Sequence, residues 1–245
     1  MAKPFKISPI TAIIIVIGNE ILSGKTLDTN SQFIAQKLFE RGIDVKKIVV
    51  LPDELDVVAK AAGKFSSKCD FLFASGGIGS TPDDITREAF AKAFDVPLVR
   101  HPEAEEIIRR HLKDRVNEAR LRMADLPDGC KLIPNPFGGA PGFMIKNCYV
   151  FPGIPELLRP MFEGIENNFP ILPKFRKQFR TKFYEGDFTL IMEDIGREYP
   201  NVRIGSYPAF RNPDYSVELT FEGSDEEEVI EAMEKFRERL AGLGK

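Results

Sequence analysis

A chain of 245 residues, 43% of them hydrophobic, exceeds the usual single-domain size, so a large domain followed by a small one is expected. The net charge of −3, with both signs spread along the sequence, excludes the basic footprint of a nucleic-acid-binding protein. The apolar run at residues 11–17 is far too short to span a bilayer, and no small-residue cleavage site follows it, so no membrane attachment is expected.

That run instead reads as a strand, residues 12–17, whose continuous apolar character marks a strand covered on both faces; it ends at Gly18-Asn19-Glu20. A helix is predicted from Thr29 or Asn30 to Arg41, with Phe33, Ile34, Leu38 and Phe39 inward and Gly42 as its stop. A second strand, 45–51, closes at Pro52-Asp53. The next helix carries Leu55, Val58, Ala59, Ala62 and Phe65 as one apolar stripe. Residues 69–74 are a third strand, followed by a glycine-rich loop and a helix running from near Asp84 to about Phe94. Strands alternating with amphipathic helices imply an α/β fold with a mostly parallel sheet, and ligands of such sheets sit outside the strand carboxyl ends.

Residues 103–122, EAEEIIRRHLKDRVNEARLR, read as one charged helix with a solvated face, from whose end Arg120 and Arg122 reach toward a substrate phosphate. A turn at 126–129 and a Pro/Gly-rich ordered segment through Pro141, Gly142 and Phe143 follow, the latter expected to line the pocket. Two short strands, 144–146 and 148–151, then meet across Lys146-Asn147, and Pro152-Gly153-Ile154-Pro155 opens another helix. Beyond residue 172 the pattern changes to strand 175–184, helix 188–199, strands 202–207 and 216–221, and helix 225–240, a small ferredoxin-like α+β domain. The expected division is therefore 1–172 and 173–245. The small domain reads as a lid, dimerisation or packing module, with Gly205-Ser206-Tyr207-Pro208 its candidate contact.

The most informative segment is 75–84, SGGIGSTPDD. Gly76, Gly77 and Gly79 can take positive φ and bring backbone N–H groups to an anion, with Ser75, Ser80 and Thr81 as hydroxyl donors and a helix dipole pointing the same way. Asp83 and Asp84 would then hold a divalent cation between themselves and a polyphosphate. A tight turn with an N-capping Asp also fits and is worth about 0.5–2 kcal/mol with no ligand; the coincidence of glycines, hydroxyls and paired acids at a strand's carboxyl end favours the phosphate site. The same rim receives Gly18, Asn19 and Glu20 from the first strand and Asp53 from the second, with Asp28 and Asn30 just beyond. Asp28 is equally explained as a helix cap. The acids Glu20, Asp53, Asp83 and Asp84 on one rim would repel one another without a cation. Three cysteines, Cys69, Cys130 and Cys148, lie in no metal-ligand spacing and suit a reducing cytosol, and His101 and His111 offer no catalytic arrangement.

Taken together, the motifs Gly18-Asn19-Glu20-Ile21-Leu22, Asp28-Thr29-Asn30, Pro52-Asp53, 76–84 and Ala140-Pro141-Gly142 resemble the molybdopterin-binding (MoaB/MogA-like) domain in its CinA-type branch, also found as the N-terminal half of animal FAD synthases. The resemblance covers about residues 10–170; the C-terminal segment looks like the extension such domains carry, while neither a deamidase domain nor an adenylyl-transferring half is expected before Lys245. It implies a three-layer sandwich, a homo-oligomer and a cytoplasmic enzyme that takes a nucleotide or pterin. The implied activity is a pyrophosphatase dependent on Mg²⁺, Mn²⁺ or Co²⁺ that splits ADP-ribose or FAD to nucleoside monophosphates. On this reading Asp53, Asp83 and Asp84 are catalytic, and Asp83, Asp84 and Glu20 hold the metal. Gly18, Asn19, Glu20, Asp28, Asn30, Ser75, Gly76, Gly77, Gly79, Ser80, Thr81, Pro141 and Gly142 bind substrate. Alternatives are a non-catalytic molybdopterin or nucleotide-binding module, or molybdopterin adenylylation. Asn19 stands where the family usually has Asp, removing one metal ligand, and Ser80 replaces a common Pro in the loop.

Overall fold

Residues 9–243 are described by the structure, a computed structural model; the expected domain ends at residues 1–8 and 244–245 lie outside them. In chain order, β1 (Thr11–Ile17) leads through the one-turn helix α1 (Asn19–Leu22) and α2 (Asn30–Glu40) to β2 (Asp44–Leu51). There follow α3 (Leu55–Ser66), β3 (Phe71–Ser75), α4 (Thr86–Ala93), β4 (Leu98–Arg100), α5 (Pro102–Leu112), α6 (Glu118–Leu121) and β5 (Asp125–Pro127). The first unit closes with β6 (Lys131–Ile133), β7 (Gly142–Ile145), β8 (Cys148–Phe151) and α7 (Pro155–Ile165).

The main sheet has the order β2-β1-β3-β8-β7-β6. Pairings among β2, β1, β3 and β8 are parallel, and β7 and β6 add as an antiparallel edge. Strand β1, between β2 and β3, is covered on both sides because both of its faces are apolar. Ala12, Ile14 and Val16 pack with Ile34 and Leu38 of α2 and Leu158, Met161 and Phe162 of α7. Ile13, Ile15 and Ile17 pack on the other side with Val58 and Ala62 of α3, Phe90 of α4 and Ile108 of α5. Helices thus cover both faces, which makes three layers. The α2/α7 layer is held by aromatic rings: Phe73 lies 5.7 Å from Phe162, 5.4 Å from Tyr149 and 5.4 Å from Phe169, centroid to centroid.

The structure corrects the sequence reading in three places. The charged helix expected at 103–122 is broken: α5 ends at Leu112, Lys113 takes φ 49°, and α6 restarts where the Asn117 side chain accepts from the Arg120 N–H at 2.9 Å. The helix after the glycine loop begins at Thr86 rather than near Asp84. Residues 98–100, to which the sequence assigned no element, and 125–127, overlapping the turn read at 126–129, form an antiparallel pair β4–β5 outside the main sheet.

The chain divides into two compact units between Pro170 and Ile171. The second consists of β9 (Phe175–Thr181), α8 (Glu185–Glu198), β10 (Arg203–Pro208), β11 (Val217–Gly223) and α9 (Glu226–Gly242), an antiparallel sheet in the order β10-β11-β9. Phe188 and Ile195 of α8 and Phe236 and Leu240 of α9 share one core with Leu219 and Phe221, so both helices lie on one face. This is the ferredoxin-like arrangement with three strands. No helix among the described residues is long and apolar enough to cross a membrane.

Phe73→Ala should cost about 3–5 kcal/mol, because Phe73 is fully buried at the centre of the aromatic layer, and chemical denaturation will read it. Burial pushes the Cys148 thiol up to about 12, with Cys69 adding to the effect, and the Cys130 thiol up to about 11. Both should therefore resist alkylation by iodoacetamide at pH 8 until the chain is unfolded, which mass spectrometry will count.

Candidate functional site at the strand carboxyl ends

Register places the site. Ile17 pairs with Leu51, Val16 with Ser75 and Ser75 with Phe151, so the loops after β1, β2, β3 and β8 leave the sheet at one rim. Backbone bonds then lock these loops together. Gly18 N–H donates to Leu51 O at 3.1 Å, Asn19 N–H to Asp53 Oδ2 at 2.8 Å, and Gly76 N–H to Phe151 O at 3.1 Å. Across the rim Asn30 Nδ2 donates to Gly153 O at 2.7 Å.

The loop from Ser75 to Asp84 turns at Gly76 and Gly77, whereas Gly79, also expected to take positive φ, does not. Gly76 has φ 104° and Gly77 φ 67°; a methyl at Gly76 would lie 2.1 Å from Ile17 O, and one at Gly77 2.3 Å from Thr86 Oγ1. Buried Thr86 closes the turn, its hydroxyl donating to Gly76 O at 2.8 Å and its N–H to Gly77 O at 3.0 Å. Farther on, Asp84 Oδ2 accepts from Thr81 N–H at 2.8 Å and Thr81 Oγ1 at 2.5 Å. Between these anchors the N–H groups of Gly77, Ile78, Gly79 and Ser80 have no partner among the described residues. Successive unpaired N–H groups just ahead of the N-terminus of α4 are donors that an anion can satisfy.

Arg87 is the residue that sequence reasoning missed. Its guanidinium is buried and donates to Gly79 O at 2.8 Å, to Asp84 O at 3.4 Å and to Arg122 O, pinning the far limb of the loop to the segment after α6. Burial pushes its guanidinium below the ordinary value, with Asp84 opposing. The available signal was weak: an Arg one turn into an amphipathic helix normally faces solvent. Gly153, read only as a break before a helix, is the second omission.

Two clefts flank the loop. The inner one, about 60 Å³, is lined by Ile17, Glu20, Leu27, Asp28, Asn30 and Ser75 among others. The outer one, about 240 Å³, is lined by Ser80, Thr81, Asp84, Arg87, Glu88 and Arg122 among others. Arg122 therefore reaches the loop, whereas Arg120 turns back to Arg115 O. Pro141 and Gly142, expected to line the pocket, line neither cleft. Both are buried, and Gly142 backs so closely onto β8 that a methyl would stand 2.5 Å from Val150 O.

The expected acids do not gather into a cage. Among the described residues no three His, Cys, Asp or Glu side chains are placed to hold a metal ion. Glu20 folds back over Gly18, where a methyl would meet its carboxylate at 2.4 Å. Asp84 is engaged by Thr81. Asp83 is exposed, and the Thr81 hydroxyl and then its own backbone hold its carboxyl below the usual range. Asp28 serves the start of α2, taking the N–H groups of Asn30 and Ser31, each at 3.0 Å, and the Ser31 hydroxyl. Glu20, Asp83 and Asp84 thus do not fit a resident three-carboxylate metal site, because each is drawn to its own backbone or loop. In the second unit, residues 205–208 lie in strand β10, and Ser206 Oγ donates to Glu185 Oε1 at 2.5 Å.

Comparison with known proteins follows this division of the chain. Residues 13–173 match the family described as "Probable molybdopterin binding domain", and residues 173–243 match "FAD synthase, middle domain". A protein of Archaeoglobus fulgidus is 36% identical over 228 residues, 93% of this chain and 97% of that one. A probable FAD synthase of Caenorhabditis elegans is 29% identical over 260 residues, 95% of this chain but 50% of that one. The crystal structure of the protein CinA from Thermoplasma acidophilum superposes with TM-score 0.62 at 34% identity, covering 66% of this chain and 99% of that one.

Arg87→Gln should loosen the outer limb of the loop and destabilise the first unit by roughly 2–3 kcal/mol. Hydrogen exchange should show faster exchange at Thr81 and Asp84 than in the parent, with the β1 amides unchanged.

Proposed function

The chain belongs to the molybdopterin-binding-domain family, and from that premise we propose that it is a nucleotide pyrophosphatase that hydrolyses the phosphoanhydride of ADP-ribose or FAD. The observation that carries this reading is the run of unpaired N–H groups from Gly77 to Ser80 at the carboxyl end of β3, on the same rim as Asp53 at the end of β2, with β1 between them. A diphosphate lying along the loop would accept those donors through its non-bridging oxygens. Charge on these oxygens and on the leaving phosphate increases toward the transition state, so fixed donors stabilise it more than the ground state. One oxygen of Asp53 is held by Asn19 N–H, which orients the carboxylate so that its other oxygen can take a proton from the attacking water. Water adds to one phosphorus, the bridging oxygen leaves with the other, and AMP is released with ribose 5-phosphate or FMN.

A divalent cation belongs to the proposal as an ion that enters with the diphosphate. Asp83, exposed and held in its ionised form, and Asp84 beside it are the hard-oxygen donors that would meet it. Bound there, a divalent cation would neutralise phosphate charge. A second reading is favoured by Asn19 and by the failure of the three acids to converge: a module that binds a nucleotide or pterin without turning it over.

Incubation with FAD or ADP-ribose plus Mg²⁺, Mn²⁺ or Co²⁺ should release AMP. Asp84→Ala should lower turnover at least about 100-fold while circular dichroism and the unfolding midpoint show a folded chain. Binding of either compound without AMP release supports the second reading, and undiminished turnover by Asp84→Ala removes the assignment of that residue.

A further inference from the structure

We infer that the inner cleft is a ring subsite, in which Asn30 and Ser75 select a heterocycle bearing an exocyclic amine next to a ring nitrogen. This deepens the nucleotide reading above and rests on it. Asn30 is 6% exposed and Ser75 1%, and both line the inner cleft. Asn30 Oδ1 and Ser75 Oγ are buried side-chain oxygens with no hydrogen-bond partner in the structure. The Asn30 amide cannot simply be turned over, because its Nδ2 is bonded to Gly153 O at 2.7 Å; the atom left over is an acceptor. Leaving such an oxygen buried and unpaired costs about as much as a lost hydrogen bond, so the pair points to a ligand that supplies what is missing.

The missing partners have a definite chemistry. Asn30 Oδ1 needs an N–H or O–H donor. Ser75 Oγ donates or accepts according to what faces it. The two residues belong to one corner of the fold: both line the cleft, and Gly153, which accepts from Asn30, sits so near the turn after Ser75 that a methyl on it would be 3.4 Å from Gly76 Cα. An amine and the adjacent ring nitrogen present a donor and an acceptor side by side, which matches an acceptor beside a hydroxyl. A sugar also carries hydroxyl donors, but the walls argue against it. Val16, Ile17, Ile21, Leu27 and Pro155 form the apolar part of the lining, with Leu27 83% exposed; of the acids that share it, Asp28 is taken up by Asn30 and Ser31 and Glu20 folds over Gly18, and Thr26 and Thr29 complete it. Five apolar side chains beside two buried oxygens without partners suit a ring with an apolar face and a polar edge better than a sugar, which is polar all round. With the ring in this cleft, the phosphates run out along Gly77 to Ser80 and the rest of the substrate faces the outer cleft.

Adenosine and inosine 5′-monophosphates provide the test, because inosine replaces the amine by a carbonyl and the neighbouring ring nitrogen by N–H. Calorimetric titration of the full chain should show AMP bound at least about tenfold more tightly than IMP. Ser75→Ala should weaken AMP binding about tenfold while leaving the unfolding midpoint of the free protein unchanged or raised, since it deletes an unpaired buried hydroxyl. A merely structural serine would lower the midpoint and leave the AMP to IMP ratio intact. Asn30→Leu should remove the preference for AMP. Equal affinities, or no binding of either nucleotide, overturn the inference. Discrimination without hydrolysis of ADP-ribose or FAD discards the pyrophosphatase reading alone; hydrolysis with AMP and IMP bound equally discards the ring subsite alone.

Discussion

The first unit depends on one close approach: the Gly76 backbone lies so near the carbonyl of Ile17 that a methyl there would be 2.1 Å from its oxygen. That contact lets the chain reverse immediately after β3 while Gly76 N–H still bonds to Phe151 O, so the loop is held from both neighbouring strands at once. A side chain at this position would have to move the end of β1 or that of β8. Because both strands are buried in a sheet packed on two faces, neither yields cheaply. The site is rigid for the same reason that the core is.

Rigidity has a chemical consequence. Each end of the loop is fixed by bonds to its own carbonyls, through Thr86 at the near end and Arg87 at the far end, so the amides between them cannot fold inward to find partners. Backbone N–H groups are rarely left unpaired, and here the surrounding structure prevents their pairing with protein. The donors are therefore organised before any ligand arrives, which is the condition under which they act on developing charge without a cost of rearrangement.

Much of this was legible in the sequence because the signals were local. The two-sided apolar run of β1, the stripe on α3 and the glycines of 75–84 each report a backbone conformation that the neighbouring residues dictate. What stayed hidden depended on contacts distant in sequence. Arg87 bonds to Arg122 O, and Asn30 meets Gly153, 123 residues away; no periodicity announces either. The break after Leu112 was hidden differently. Lys113 in a left-handed conformation has no propensity signal, and the charge spacing of 103–122 suits one long helix as well as two short ones.

The acidic rim shows how local bonding overrides a charge count. Glu20, Asp53, Asp83 and Asp84 in one region suggest repulsion that only a cation relieves. In the fold, Asp53 is answered by Asn19 N–H and Asp84 by Thr81, while Asp28 nearby is answered by the N–H groups at the start of α2. Hydrogen bonds to an ionised carboxylate are among the stronger ones available to a protein, and several to backbone donors stabilise the charge where it stands. These acids can therefore share a rim as separately hydrogen-bonded groups, answered by donors of their own or a neighbouring loop. On the proposed reading, a cation that joins them would draw its affinity from the phosphates it accompanies, so that metal and substrate would bind in one event rather than two.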